Sequence, residues 1–269
     1  MTYDVKSVEL STGMTLQYVE RGERSGVPVL LLPGAYDAWN SYVLLLPHLP
    51  DWIRAFALTL RGHGDASKPE TGYGFRDFAA DIVAFMDAQD LESAFLIAHS
   101  FGTLVATRCA IDAPERVRGL VLIGGLYRVA DIPSEDEFWQ TVMSPLEDPV
   151  DPEFVRELQS SVAFRPVPEP LFETLVREPL KIPARVWKAV YRTILEDDHS
   201  GELRKITAST LLVWGAHDDD APRDQQDSLL AAIEDSRLIV YDDVGHSAHW
   251  EVPERLANDL VAFVEGLPG

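Results

Sequence analysis

Residues 93–113 read SAFLIAHSFGTLVATRCAIDA. The first seven (93–99) form a short apolar, β-favouring run, and FGTLVATRCAIDA (101–113) continues as an apolar helical segment. Between them stands Ala98-His99-Ser100-Phe101-Gly102, a small-x-Ser-x-Gly turn with alanine where G-x-S-x-G has its first glycine. A serine in such a strand–turn–helix junction sits on a sharp, strained turn with its hydroxyl proud of the sheet. It also sits at a helix N-terminus, where free N–H groups favour developing negative charge. Taken alone, Ser100 also admits the reading of an N-cap serine, since any helix can start this way.

Working outward, apolar strands alternate with helices on both sides. VKSVEL (5–10) and MTLQYVE (14–20) flank Ser-Thr-Gly and read as a hairpin. VPVLLLPG (27–34) is a continuous apolar run, as in a strand buried on both faces of a parallel sheet. RAFALTL (54–60) reads as a strand, and FRDFAADIVAFMDAQ (75–89) as a helix with its aromatic and aliphatic residues on one face. VRGLVLIGG (117–125), STLLVWG (209–215) and SRLIVYDD (236–243) supply further strands. Helices are expected near 222–234 and from Pro253, the latter with proline at a favoured first position. Such alternation predicts right-handed crossovers and a parallel sheet. Residues 126–198 break it: EDEFWQTVM, DPEFVRELQSSV, PLFETLVREPL and ARVWKAVYRTIL are amphipathic, proline-punctuated pieces with no buried strand among them. The expectation is a core of residues 1–125 and 199–269, interrupted by a helical cap at 126–198.

A serine nucleophile needs a base, and the base needs an orienting carboxylate. STLLVWG runs into Gly215-Ala216-His217-Asp218, and SRLIVYDD into Val244-Gly245-His246. Both lie just past the carboxyl ends of expected strands, where open parallel sheets bind ligands. Asp219 and Asp220 follow Asp218 and compete with it as the acid. His249 competes with His246 as the base, or as half of a metal pair, although no H-E-x-x-H pattern surrounds them.

With these segments in view, the chain resembles an α/β-hydrolase of the capped, single-domain type. LLLPGA, RGHGDASKP (61–69), AHSFGT, WGAHDDD and VGHSAHWEVPERL carry the resemblance in order along nearly the whole chain. It implies an α/β fold with a mostly parallel eight-stranded sheet flanked by helices and an inserted helical cap. It implies Ser100 as nucleophile, Asp218 as acid, His246 as base, and an oxyanion hole from the N–H groups of Ala35 and Phe101. Gly215-x-x-Asp218 spacing favours Asp218 over its neighbours. Two departures are plain: Pro33-Gly34 stands where the family often has His-Gly, and Thr59 where it often has Asp. Related dehalogenases and epoxide hydrolases use an aspartate nucleophile, and Ser100 at that position argues against both chemistries. The substrate pocket is expected to draw on His99, Tyr36, Trp139, Phe164 and Trp187.

Composition bounds the partners. Lys and Arg number 23 against 44 Asp and Glu, a formal net charge of −21. That balance argues against nucleic acid and anionic membrane surfaces. Hydrophobic residues at 46% and charged ones at 25% describe a globular chain, long enough to bury roughly three quarters of its unfolded surface. The single cysteine, Cys109, excludes an internal disulfide and reads as a small core residue. No secretory signal or long apolar span is visible, so a cytoplasmic setting is expected. No metal or cofactor is implied, and the oligomeric state is open. The activity expected is that of a serine hydrolase on a small or medium apolar carboxylic ester or lactone. The alternatives are a carbon–carbon bond hydrolase, lyase or cofactor-free oxygenase on the same fold, or a small-molecule sensor with slow hydrolysis.

Overall fold

The computed structural model describes residues 3–267, with the side chains of Asp131 and Pro133 left aside. Eight strands form one sheet: β1 (Lys6–Glu9), β2 (Thr15–Arg21), β3 (Val27–Leu32), β4 (Ile53–Thr59), β5 (Ala94–His99), β6 (Val117–Ile123), β7 (Thr210–Gly215) and β8 (Ser236–Tyr241). Their order is β1-β2-β4-β3-β5-β6-β7-β8. β1 and β2 pair antiparallel, as do β2 and β4. From β4 to β8 every neighbouring pair is parallel. The eight-stranded, mostly parallel sheet expected from the alternation is therefore present, with its antiparallel part confined to one edge.

The strand order also locates the crevice. After β3 the chain moves to one side, to β4, whereas after β5 it moves to the other, to β6. Loops leaving the carboxyl ends of β3 and β5 thus diverge, and a cleft opens between them. Residues 33–37 leave β3 and Ser100 leaves β5, so the two loops with functional signals border that cleft.

Helices α1 (Phe75–Ala88) and α2 (Phe101–Asp112) cover one face of the sheet, α9 (Pro253–Glu265) the other. The central strands β5 and β7 are buried along their whole length, as their unbroken apolar runs require. Between β6 and β7 come α3 (Pro133–Phe138), a π-helical turn (Trp139–Met143), α4 (Pro152–Ser161), α5 (Glu169–Arg177) and α6 (Ala184–Glu196). α4 starts where Asp151 accepts the Glu153 N–H at 2.9 Å and Pro152 occupies the first turn. The amphipathic pieces bury their apolar stripes: Val155, Val176, Trp187 and Val190 join the α1–α2 core cluster. α7 (Arg223–Ala232) precedes β8, and a four-residue turn, α8 (Ala248–Glu251), precedes α9.

The RGHGDASKP loop is structural. Arg61 is buried and makes a two-point ion pair with Asp81 of α1, both bonds at 2.6 Å. It also donates to the Gly72 carbonyl at 2.7 Å. His63 is buried beside it with Nδ1 2.8 Å from the Arg61 carbonyl. Cys109 is fully buried, and burial pushes its thiol pKa up to about 12, so it stays an inert core group. Among the described residues, no helix is long and apolar enough to cross a membrane.

Candidate active site

Ser100 has φ +50°, ψ −122°, a conformation that bulky residues avoid. Its N–H donates to the Ile123 carbonyl at 3.0 Å, and its carbonyl accepts the Thr103 N–H at 2.8 Å. Those two bonds hold the strained turn between β5 and α2. Gly102 is obligatory for it: a Cβ there would lie 2.6 Å from the Leu32 and Pro33 carbonyl oxygens.

His246 and Asp218 meet behind the serine. Nδ1 of His246 lies 2.9 Å from both Asp218 oxygens, and both residues are buried. The carboxylate is itself aimed, because its Oδ1 accepts the backbone N–H of Ala221 at 2.8 Å and of Asp220 at 3.1 Å. The two loops are laced together: Ala216 N–H donates to the Tyr241 carbonyl at 2.9 Å and His217 N–H to that of Val244 at 3.0 Å. Gly124, at φ +54°, ends β6 beneath this pair; a Cβ there would stand 2.7 Å from His246 Nδ1. Burial alone would depress the imidazole pKa, but the adjacent Asp218 charge and hydrogen bond outweigh it, with Asp220 and Asp37 adding to the pull. The net shift is upward. That shift, to about 9, favours the imidazolium at neutral pH; in the neutral ring Nδ1–H goes to Asp218 and Nε2 carries the lone pair a general base needs.

A cavity of about 140 Å³ is lined by Ser100 and His246 together, and by Ala35 and Tyr36 of the loop after β3. Tyr36 has φ +68°. Among the described residues, neither the Ala35 nor the Phe101 amide donates to a protein acceptor, and Phe101 is the first residue of α2. No hydrogen bond joins Ser100 Oγ to His246; in ligand-free sites this contact is often long.

Of the five pocket residues expected from sequence, His99 and Tyr36 line the cavity, whereas Trp139, Phe164 and Trp187 do not. Trp187 is fully buried and stacks on Tyr36, 3.7 Å between centroids, so it supports a lining residue from behind. Trp139 stacks on Tyr191. Phe164 is 56% exposed and lies flat on His217 at 3.8 Å. His99 Nε2 faces the His246 carbonyl at 3.1 Å, which makes it the donor there. Of the rival acids, Asp220 reaches the cavity wall. The rival base, His249, is fully buried; burial takes its pKa down to about 3, and its Nε2 meets Ser41 Oγ at 2.9 Å.

Sequence reading missed a polar corner. Asp37 is buried, and its carboxylate accepts from Gln159 Nε2 and Ser41 Oγ, each at 3.1 Å. Trp250 Nε1 donates to Ser41 Oγ at 3.0 Å. Burial raises the Asp37 pKa to about 6, against the lowering effect of those bonds and of His246. The Asp37 signal was its position in the loop after β3; Gln159 had none, because it is a polar residue on a helix whose packing the sequence does not state. Glu135 and Asp220 also line the cavity, each with its pKa raised chiefly by burial, and among the described residues no lysine or arginine lines it. Two groups bring three potential ligand atoms within 4.8 Å of one another: Asp37, His99, His249 and Asp218, Asp220, His246. In the first, Asp37 accepts from Gln159 and Ser41; in the second, Asp218 is paired with His246, so both groups already take part in hydrogen bonds within the protein.

The profile of the alpha/beta hydrolase family matches residues 29–259. The chain belongs to that family. A haloalkane dehalogenase from Mesorhizobium japonicum is 36% identical over 109 residues, 40% of this chain and only 35% of that one. The 2-hydroxy-6-oxo-2,4-heptadienoate hydrolase of Pseudomonas putida is 26% identical over 88% of this chain and 90% of its own length. An esterase from Exiguobacterium antarcticum superposes with a TM-score of 0.84 at 22% identity, covering 97% of this chain and 99% of that one, a likeness of fold. Relatives of this alpha/beta hydrolase thus span several substrate classes, and the chain is a hydrolase whose class its own pocket must decide.

Proposed function

We propose that this hydrolase cleaves small carboxylic esters or lactones through an acyl-enzyme intermediate. The observation that carries the reading is Ser100, on its strained turn, lining one cavity with a His246 already paired at 2.9 Å to Asp218. Ser100 Oγ attacks the carbonyl carbon while His246 Nε2 takes its proton. Asp218 fixes the imidazole tautomer and stabilises the imidazolium. The free amides of Ala35 and Phe101 receive the oxyanion, a contribution of roughly 3–4 kcal/mol per donor in such sites. The imidazolium then protonates the leaving alkoxide. Water, deprotonated by His246, attacks the acyl-serine and releases the carboxylate, restoring Ser100.

The cavity supports the small end of the size range, since a void of ~150 Å³ holds a ring the size of benzene. We read residues 126–198 as the cap over this chemistry, because Gln159, Glu135 and Tyr191 from that segment line the cavity. The test is mass spectrometry after fluorophosphonate treatment of wild type, Ser100→Ala and His246→Ala. A single adduct on Ser100, slowed without His246, is expected. Folded wild type that takes up no label would overturn the reading.

A further inference from the structure

The ionisable lining of the cavity is mostly acidic. Asp37, Glu135 and Asp220 line it against a single imidazole of raised pKa, His246, and among the described residues no lysine or arginine does. Asp37 comes from the loop after β3, Asp220 from the loop after β7 and Glu135 from α3, so three separate chain segments converge with one sign of charge. All three carboxyls have pKa values raised above the ordinary range, and of them Asp37 is fully buried. A second, independent feature lies in the same wall. Gln159 is only 4% exposed; its Nε2 is given to Asp37, and its Oε1 has no partner. A buried carbonyl oxygen without a donor carries an unmet desolvation penalty, so such groups in native structures are normally met by something. What would meet it here is an N–H. The neighbouring Asp37 carboxylate still has acceptor capacity, because two bonds do not exhaust its lone pairs. Trp250, in the same wall, offers an aromatic surface of the kind that attracts cations.

We propose that the substrate carries a small protonated amine, whose N–H is received by Gln159 Oε1 and Asp37 while Glu135 and Asp220 supply further negative potential. This deepens the ester-hydrolase reading and rests on it for the reaction, though not for the binding. It also gives the acidic wall a second use: hydrolysis of an ester creates a carboxylate, which this wall repels from the pocket. A substrate that itself bears a carboxylate meets the same repulsion. That disfavours here the dienoate chemistry named for the Pseudomonas putida relative.

Three probes of one shape separate the contributions: 3-methylbutylammonium, 3-methylbutanol and 3-methylbutanoate. Calorimetric titration into Ser100→Ala protein reads binding without turnover, and inhibition of 4-nitrophenyl butyrate hydrolysis reads it at the working site. The ammonium is expected to bind about tenfold tighter than the alcohol, and the carboxylate weakest of the three. Asp37→Asn and, separately, Gln159→Met are expected to shrink the ammonium-to-alcohol ratio about fivefold or more. Carboxylate binding as tight as ammonium binding, or a ratio untouched in both variants, overturns the proposal. Tight ammonium binding by a protein that hydrolyses no ester would instead remove the ester-hydrolase reading and leave the cation site standing.

Discussion

The sheet's carboxyl edge and the helices between β6 and β7 contribute to one cavity by different physical means. At the edge, backbone conformation places the chemistry: Ser100 at φ +50°, Gly124 at φ +54°, and Gly102 against two carbonyl oxygens. In those helices, side-chain packing places it: Tyr191 and Gln159 reach the cavity because α6 and α4 press their apolar stripes onto the core. Backbone geometry of the first kind demands particular residue types, glycine above all. Packing of the second kind asks only for apolar residues of suitable volume, so many sequences satisfy it.

The comparison can be broken at several points. Ser100→Ala is expected to lower kcat on 4-nitrophenyl butyrate by about 10⁴-fold or more with no loss of melting temperature; retained turnover would remove the edge from the chemistry. Trp187→Ala is expected to destabilise the protein by about 3–5 kcal/mol in denaturant titration, because it empties a fully buried site behind Tyr36. A loss near zero would mean that packing does not hold the helices between β6 and β7.

Asp37 sits where the two regions touch, bonded to Gln159 across them. Its folded pKa, about 6, lies above the ordinary 3.8, so the folded state binds this proton more tightly than the unfolded chain. The ionised group therefore lowers stability fully above pH 6, and that penalty fades as pH falls from 6 towards 4 and is gone below it. Asp37→Asn is expected to raise stability at pH 7.5 by an amount on the order of 3 kcal/mol, with the gain vanishing at pH 3.5. Equal stabilities at pH 7.5 would show that the carboxylate is already compensated. Gly124→Ala is expected to reduce kcat about 100-fold while the chain still folds, since the new methyl displaces the His246 ring. Smallest of all, Phe164→Ser should change stability by no more than about 0.5 kcal/mol, as befits an exposed side chain.

Legibility in the sequence followed the same division. Each expected strand and helix of the core appears within a residue or two, because unbroken apolar runs and proline or glycine punctuation carry that information locally. Order within the sheet was not legible: nothing in residues 27–59 states that β4 lies outside β3. Ser100, His246 and Asp218 stand at strand-end turns, which are local features of sequence; the structure puts Ser100 and His246 on one cavity and pairs His246 with Asp218. The pocket was legible only where it is turn-built, at Tyr36 and His99. For Trp139, Phe164 and Trp187 the only signal is size, and size speaks for burial as readily as for a cavity wall. Gln159 and Glu135 had no periodic or motif signal, because their place depends on how α4 and α3 are docked.

Translation meets these parts in a fixed order. The Ser100 turn leaves the ribosome long before His246, by about 7–30 seconds at ordinary elongation rates. Until β7 and β8 have joined the sheet, the serine has neither a base nor a carboxylate behind it. On the proposed ester-hydrolase mechanism, a nascent or truncated chain ending before β8 would hold Ser100 with no means of activating it. Esterase activity would then report, without any label, that synthesis had passed residue 246 and that the far edge of the sheet had closed.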